Sequence, residues 1–153
     1  KCICGKSQIK YYERKISGPI LDRFDIVLDV PRIPLRNVFS SGRNSATKTL
    51  ADIINSTKNI QTERFKKSPA VKQNSDMTIN EIREFCRLSR DVEKFLNRAS
   101  EQHHFSNRVY LKIIKIARTI ADLDGDRDIG MLHLTEALQY RIENDQNFVT
   151  KST

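Results

Sequence analysis

From residue 78 onward, apolar residues return every three or four positions, and a polar capping signal sets off each run. Thr78 with Glu81 makes a capping box ahead of the stripe Ile79, Ile82 and Phe85, which predicts a short helix. Ser89 is placed to cap a second, with Val92, Phe95, Leu96 and Ala99 inward. Ser106 is placed to cap a third, which buries Val109, Ile113, Ile116, Ala117 and Ile120 and ends near Gly125. A fourth runs from about Met131 to Ile142 with Leu134, Ala137 and Leu138 on its inner side. Helices of this kind with brief connections close over one another as a small bundle. No internal repeat is visible.

Upstream, Leu50, Ile53, Ile54, Thr57 and Ile60 recur at helical spacing within "TKTLADIINSTKNIQTERFK", leaving lysines and polar groups opposite. The following "KKSPAVKQNSD" breaks the period with proline and small polar residues and is expected to be mobile. Residues 31–46, "PRIPLRNVFSSGRNSA", have no sustained period and read as a linker. The first thirty residues differ again. Ser7 is placed to cap a short helix through "QIKYYERK", and Gly18-Pro19 breaks the chain and starts another turn. "DIVLDV" is almost continuously apolar from Ile26 to Val30 and is bounded by Pro31, which predicts a strand covered on both faces in a parallel sheet. Such a strand needs neighbours to bond with, so its sheet is expected upstream of this sequence.

The 153 residues suit one domain or a piece of a larger protein, and a start at Lys1 rather than methionine favours the piece. A hydrophobic share of 38%, a charged share of 30% and no tryptophan fit a water-facing protein with a modest core. No apolar run approaches the roughly 20 residues that cross a bilayer, and no signal peptide is visible, so no membrane partner and a cytoplasmic setting are expected. Cys2, Cys4 and Cys86 are an odd set, unlike a secreted disulfide framework. The 27 basic against 19 acidic residues, a formal +8, favour polyanionic partners such as nucleic acid or nucleotide.

Catalytic motifs are sparse. "GKS" at 5–7 lacks the upstream glycine and the preceding strand of a phosphate-binding loop. No nucleophile, base and orienting acid stand at a recognisable spacing, and His103-His104 reads as a solvated helix corner. The chain is therefore not expected to turn over a substrate alone. Arg108 is more telling: behind a Ser106 cap it takes the second helical position, where the positive end of the helix dipole repels a cation. Free amides plus a guanidinium suit a phosphate, and an ion pair with Glu101 is the plainer alternative. Arg23, between Asp22 and Asp25, poses the same choice between a surface ion pair worth about 0–1 kcal/mol and a guanidinium projecting into a neighbouring subunit's nucleotide site. Cys86 on the stripe beside Phe85 reads as a small core residue.

"QIKYYERKISGPILDRFDIVLDVP", followed by "FCRLSRD", "SNRVYLKIIKIARTIADLDG" and "HLTEALQYR", resembles the C-terminal part of the magnesium-chelatase-like AAA+ ATPases of the bacterial ComM/YifB group. The resemblance covers nearly the whole chain apart from the linker, the stretch near residue 70 and the last ten residues. It implies a mainly α fold, a helical lid bundle preceded by a remnant of an α/β core made of helical turns and one strand. Residues 1–31 would end that core, 32–46 link, 47–66 form the helix of an insertion before the second sensor, 67–77 form a mobile loop, 78–143 form the lid and 144–153 form a disordered tail. By the same resemblance Arg23 of "LDRFD" would be an arginine finger acting on the adjacent subunit, and Arg108 of "SNR" the second sensor. ATP and Mg2+ would serve the full-length protein, with the phosphate-binding motifs and a Lon-like N-terminal domain upstream. Its partners would be identical subunits in a ring, taken as a hexamer, and DNA, on which a branch-migration role is expected. Cys2 and Cys4 would be the second half of a four-cysteine zinc site whose first pair falls before Lys1, and half a tetrahedral site is not expected to hold Zn2+. The competing reading from the residues is an all-helical DNA-binding module that sets Arg108, Lys112 and Lys115 against phosphates.

Overall fold

The computed structural model describes residues 4, 5, 7, 8, 11, 20, 22–28, 30 and 45–150, the last nine of these and 45–47 by backbone only. Among them five helices follow in order: α1 (Ser45–Arg64), α2 (Ile79–Phe85), α3 (Arg90–His103), α4 (Asn107–Asp124) and α5 (Met131–Thr150), with a 3₁₀ turn at Asn74–Asp76 between the first two. The fold is mainly α, as expected.

The starts and stops are set by local chemistry. Thr78 caps α2 in a full capping box: Asn80 N–H donates to Thr78 Oγ1 at 3.3 Å, and Glu81 Oε2 accepts from Thr78 N–H at 2.8 Å. The Thr78 hydroxyl and amide hold the Glu81 carboxyl below its ordinary pKa. Ser89 caps α3 by accepting from Val92 N–H at 3.4 Å, and Ser106 caps α4 by accepting from Val109 N–H at 3.3 Å. Gly125 ends α4 at φ 77°, the left-handed conformation glycine takes without a Cβ clash. His104 takes the same conformation at φ 52° to end α3.

Helix α4 is the hub, packing on α5 most extensively and also on α1, α2 and the 3₁₀ turn. Val109, Ile113, Ile114, Ala117 and Ile120 are buried on it, against Leu134, Ala137 and Leu138 of α5 and Val92 and Leu96 of α3. A fully buried valine, leucine or isoleucine contributes about 1.5–3 kcal/mol, so this hub supplies much of what holds the bundle. Phe65 and Phe85 meet edge to face at 5.3 Å, and a parallel bridge between Leu88 and Ile129 joins the connections that lead into α3 and α5.

Several expectations need correcting. Helix α1 forms, but Leu50, Ile53, Ile54 and Ile60 of its apolar stripe stay exposed, whereas Thr57 and Gln61 are buried. The helix meets the body through its last turns, where polar side chains find partners, and its early turns run past it. The stretch 67–77, expected to be mobile, is tied in: Val71, Asn74 and Met77 are buried, and Asn74 N–H donates to Gln61 Oε1 at 3.0 Å. Residues 26–28 and 30 form no strand. A strand exists only with a neighbour to exchange bonds, and here Val27 N–H donates instead to Tyr140 O of α5 at 3.3 Å. Ser7 is itself helical rather than a cap, and the Gln8 side chain accepts from Gly5 N–H at 3.0 Å. Of the tail expected at 144–153, the backbone of residues 144–150 is described and is helical. The linker 32–46 lies outside the described residues except for the first two residues of α1.

Cys86 sits in the core as expected, its Sγ 3.8 Å from Met77 Sδ, and burial pushes its thiol from 9.0 up to about 11. Thiolate chemistry at Cys86 is therefore suppressed. With the folded value raised, the folded chain keeps a proton that the unfolded chain has lost between pH 9.0 and about 11. Stability from this group is full below that window and falls across it. Alkylation at pH 8 should modify Cys86 far more slowly in the native chain than in denaturant, and equal rates would contradict the buried placement.

Candidate functional site

Residues 22–25 form a turn whose Arg23 N–H donates to Ile20 O at 3.0 Å, and the helical body grips this turn through its flanking residues. Ser106 Oγ donates to Asp22 Oδ2 at 2.9 Å, and Arg141 Nη2 of α5 donates to Asp22 Oδ1 at 3.0 Å. Arg141 Nη1 donates to Phe24 O at 3.1 Å. Lys112 Nζ donates to Arg23 O at 2.6 Å and pairs with Asp25 Oδ1 at 2.8 Å. Both aspartates are thus taken by cations of the body. Arg23 is exposed, and among the described residues its guanidinium has no partner.

Arg108 lies where the sequence puts it, at the second position of α4, exposed, with no carboxylate in ion-pair reach among the described residues. The Glu101 pairing is not formed. Arg108 borders a cleft of about 370 Å³ lined by Met77, Thr78, Ile79, Ile82, Leu111, Lys112 and Lys115. The first turn of α4 carries no acidic residue, so positive potential from the helix end and from Arg108 adds at the mouth of the cleft. Ser106 joins the Arg23 turn to the start of α4, since its hydroxyl accepts from Val109 N–H and donates to Asp22.

A second constellation escaped the sequence reading. Asp122, buried on α4, accepts from Arg118 Nε at 3.0 Å, from Arg64 Nη1 of α1 at 2.6 Å and from Asn74 Nδ2 at 2.8 Å, with Arg64 Nη2 also bonded to it. Arg118 gives its other donors to the carbonyls of Arg127 at 2.7 Å and Asp126 at 2.6 Å. Arg64 Nη1 also reaches Asn74 Oδ1 at 3.0 Å. The signal available was Arg118 and Asp122 at i and i+4 beside an otherwise apolar stripe, where charges belong only in pairs.

Of the cysteine pair, Cys2 lies outside the described residues and Cys4 is exposed. No group of three or more His, Cys, Asp or Glu side chains able to hold a metal ion occurs among the described residues. His103 stacks on Phe105 with ring centres 5.6 Å apart, and His104 is exposed.

The family described as magnesium chelatase, subunit ChlI C-terminal, matches residues 44–141, and the one described as magnesium chelatase, subunit ChlI, matches residues 1–38. The chain is 37% identical over 135 residues to competence protein ComM of Haemophilus influenzae, covering 88% of this chain and 26% of that protein. It is 33% identical over 141 residues to YifB of Escherichia coli, covering 90% and 26%. For YifB of Salmonella typhimurium the identity is 32% over 141 residues, with the same coverage of 90% and 26%. The chain thus spans about a quarter of the length of the curated relatives it matches.

Proposed function

Because the chain belongs to the magnesium-chelatase-like family of ComM and YifB, we propose that it is the lid and arginine-finger segment of an oligomeric AAA+ ATPase. The observation that carries the reading is the Arg23 turn. Its neighbours and its own carbonyl are fastened to the helices, while its guanidinium points into solvent without an internal partner among the described residues. A finger for the adjacent subunit's γ-phosphate requires that division between anchored backbone and unengaged charge.

Arg108 at the open end of α4 is the residue of this chain that fits a nucleotide's phosphate, as the second sensor. ATP with Mg2+ would supply the phosphoryl group that is transferred. On this reading the Mg2+ ligands would come with the phosphate-binding motifs of the longer protein. In that protein, identical subunits in a ring, proposed to be a hexamer, would couple hydrolysis to DNA remodelling or branch migration. The formal +8 and the ComM likeness support the DNA part. Among the described residues, no helix is long and apolar enough to cross a membrane.

A stand-alone DNA-binding module is the weaker reading. Two of its three basic groups are engaged internally, Lys112 by Arg23 O and Asp25, and Lys115 by Ser75 O at 2.8 Å. Mixed rings test the finger directly. Inactive Arg23→Ala subunits combined with subunits lacking their phosphate-loop lysine should regain some hydrolysis where an intact finger faces an intact loop. No recovery in rings shown to be mixed would mean that Arg23 does not act across the interface.

A further inference from the structure

Arg141 is the only described side chain that bonds on both sides of Arg23. Its guanidinium is buried, with 9% of the side chain exposed, and it spans the turn from Asp22 Oδ1 at 3.0 Å to Phe24 O at 3.1 Å. A buried arginine gives up hydration that its partners must replace, and these two lie far away in sequence. Its planar fork fixes orientation as well as distance, which an ammonium does not. The other fastenings come from the same body: Ser106 and Lys112 from α4, and the Tyr140 carbonyl from α5. Arg108 stands on that body too, two residues beyond Ser106.

We infer that Arg141 is a positioning residue which, with Asp22, fastens the Arg23 turn to the α4–α5 pair, so that the finger and the Arg108 sensor move as a single body. The inference rests on the finger and sensor reading above. Its consequence is a mechanical link between the two arginines. When Arg108 gains a phosphate contact and α4 shifts, the Arg23 guanidinium shifts with it. Without the Arg141 clamp the finger would still be present but no longer held where the γ-phosphate lies. Misplacement by about 1 Å is enough to cost about 10²-fold in rate.

The test uses the full-length ring, with spin labels at positions 24 and 107 in a background whose other reactive cysteines are replaced. With Arg141 present, the label-to-label distance should keep one narrow distribution with and without nucleotide. In Arg141→Ala it should broaden, and kcat for ATP should fall by about 10²-fold with KM little changed. Arg141→Lys should restore only part of the loss, because one ammonium cannot span both acceptors in a fixed plane. If Arg141→Ala does not fold, Asp22→Asn carries the same expectation, since it removes the charge from the more exposed partner. A wild-type distance that changes with nucleotide overturns the inference, as does an Arg141→Ala ring with unaltered distance and kcat. Failure of the finger reading shows separately, as an Arg23→Ala ring that hydrolyses ATP at the wild-type rate while the label distances still report whether turn and helices travel together.

Discussion

Arg23→Ala in the full-length protein is expected to cut ATP hydrolysis by about 10³-fold or more while leaving nucleotide binding nearly intact. The size follows from what a finger does. It neutralises charge that spreads over the transferred phosphoryl group in the transition state, so its loss is felt in kcat and hardly in ground-state affinity. The local structure makes the substitution clean. Arg23 contributes to the turn through its N–H and carbonyl, which alanine keeps, and its exposed guanidinium has no described partner to abandon. Hydrolysis under saturating ATP and binding of a labelled nucleotide are the two measurements. A matching loss in both would place Arg23 in nucleotide binding or in the fold rather than in the transition state. Arg108→Ala gives the contrast: on the sensor reading its loss should impair hydrolysis and, to a larger extent, nucleotide-dependent lid movement, because the lid loses the differential contact that shifts its equilibrium.

Asp122→Ala is expected to cost about 3–5 kcal/mol, because it leaves charged groups buried without their counter-charge. Arg118 exposes 2% of its side chain, Arg64 exposes 14% and Asp122 none, so water cannot take over the lost bonds. Against a total stability of about 5–15 kcal/mol, such a loss approaches unfolding. It should also free α1, which Asp122 holds through Arg64, and the 3₁₀ turn, which it holds through Asn74. The comparison is the pair Lys66–Glu63 at 3.5 Å, with side chains 74% and 73% exposed, whose disruption should change stability by no more than about 1 kcal/mol. Chemical denaturation of both variants decides the matter. Equal midpoints would mean that the buried network contributes nothing the surface pair does not.

The helices from 78 onward were legible because their signals are local. Thr78, Ser89 and Ser106 stand where orphan amides need an acceptor, and Gly125 stands where the chain must turn left-handed. Residues 26–28 and 30 form no strand in this chain, since an apolar run states that burial is wanted but not which partner provides it. The period of α1 was equally clear, yet which turns of it find cover depends on where the rest of the body ends. Asn74 looked like loop composition because a polar residue that bonds inward cannot be told from one that faces water. At the site, Arg23 and Arg108 could be singled out from their awkward local settings. Arg141 could not, because its partners lie 117 and 119 residues away and no local pattern records such a meeting.

The grip of Arg118 on the connection after α4 is a grip on peptide carbonyls, those of Asp126 and Arg127, and not on side chains. Every amino acid has such a carbonyl. Replacing the exposed residue at 127 should therefore leave this bond in place, while changing the number of residues between Gly125 and the Ile129 bridge should not. A one-residue insertion there would swing the carbonyls off a guanidinium that has no water to turn to. At position 127, then, the length of the connection matters to Arg118 and the side chain does not.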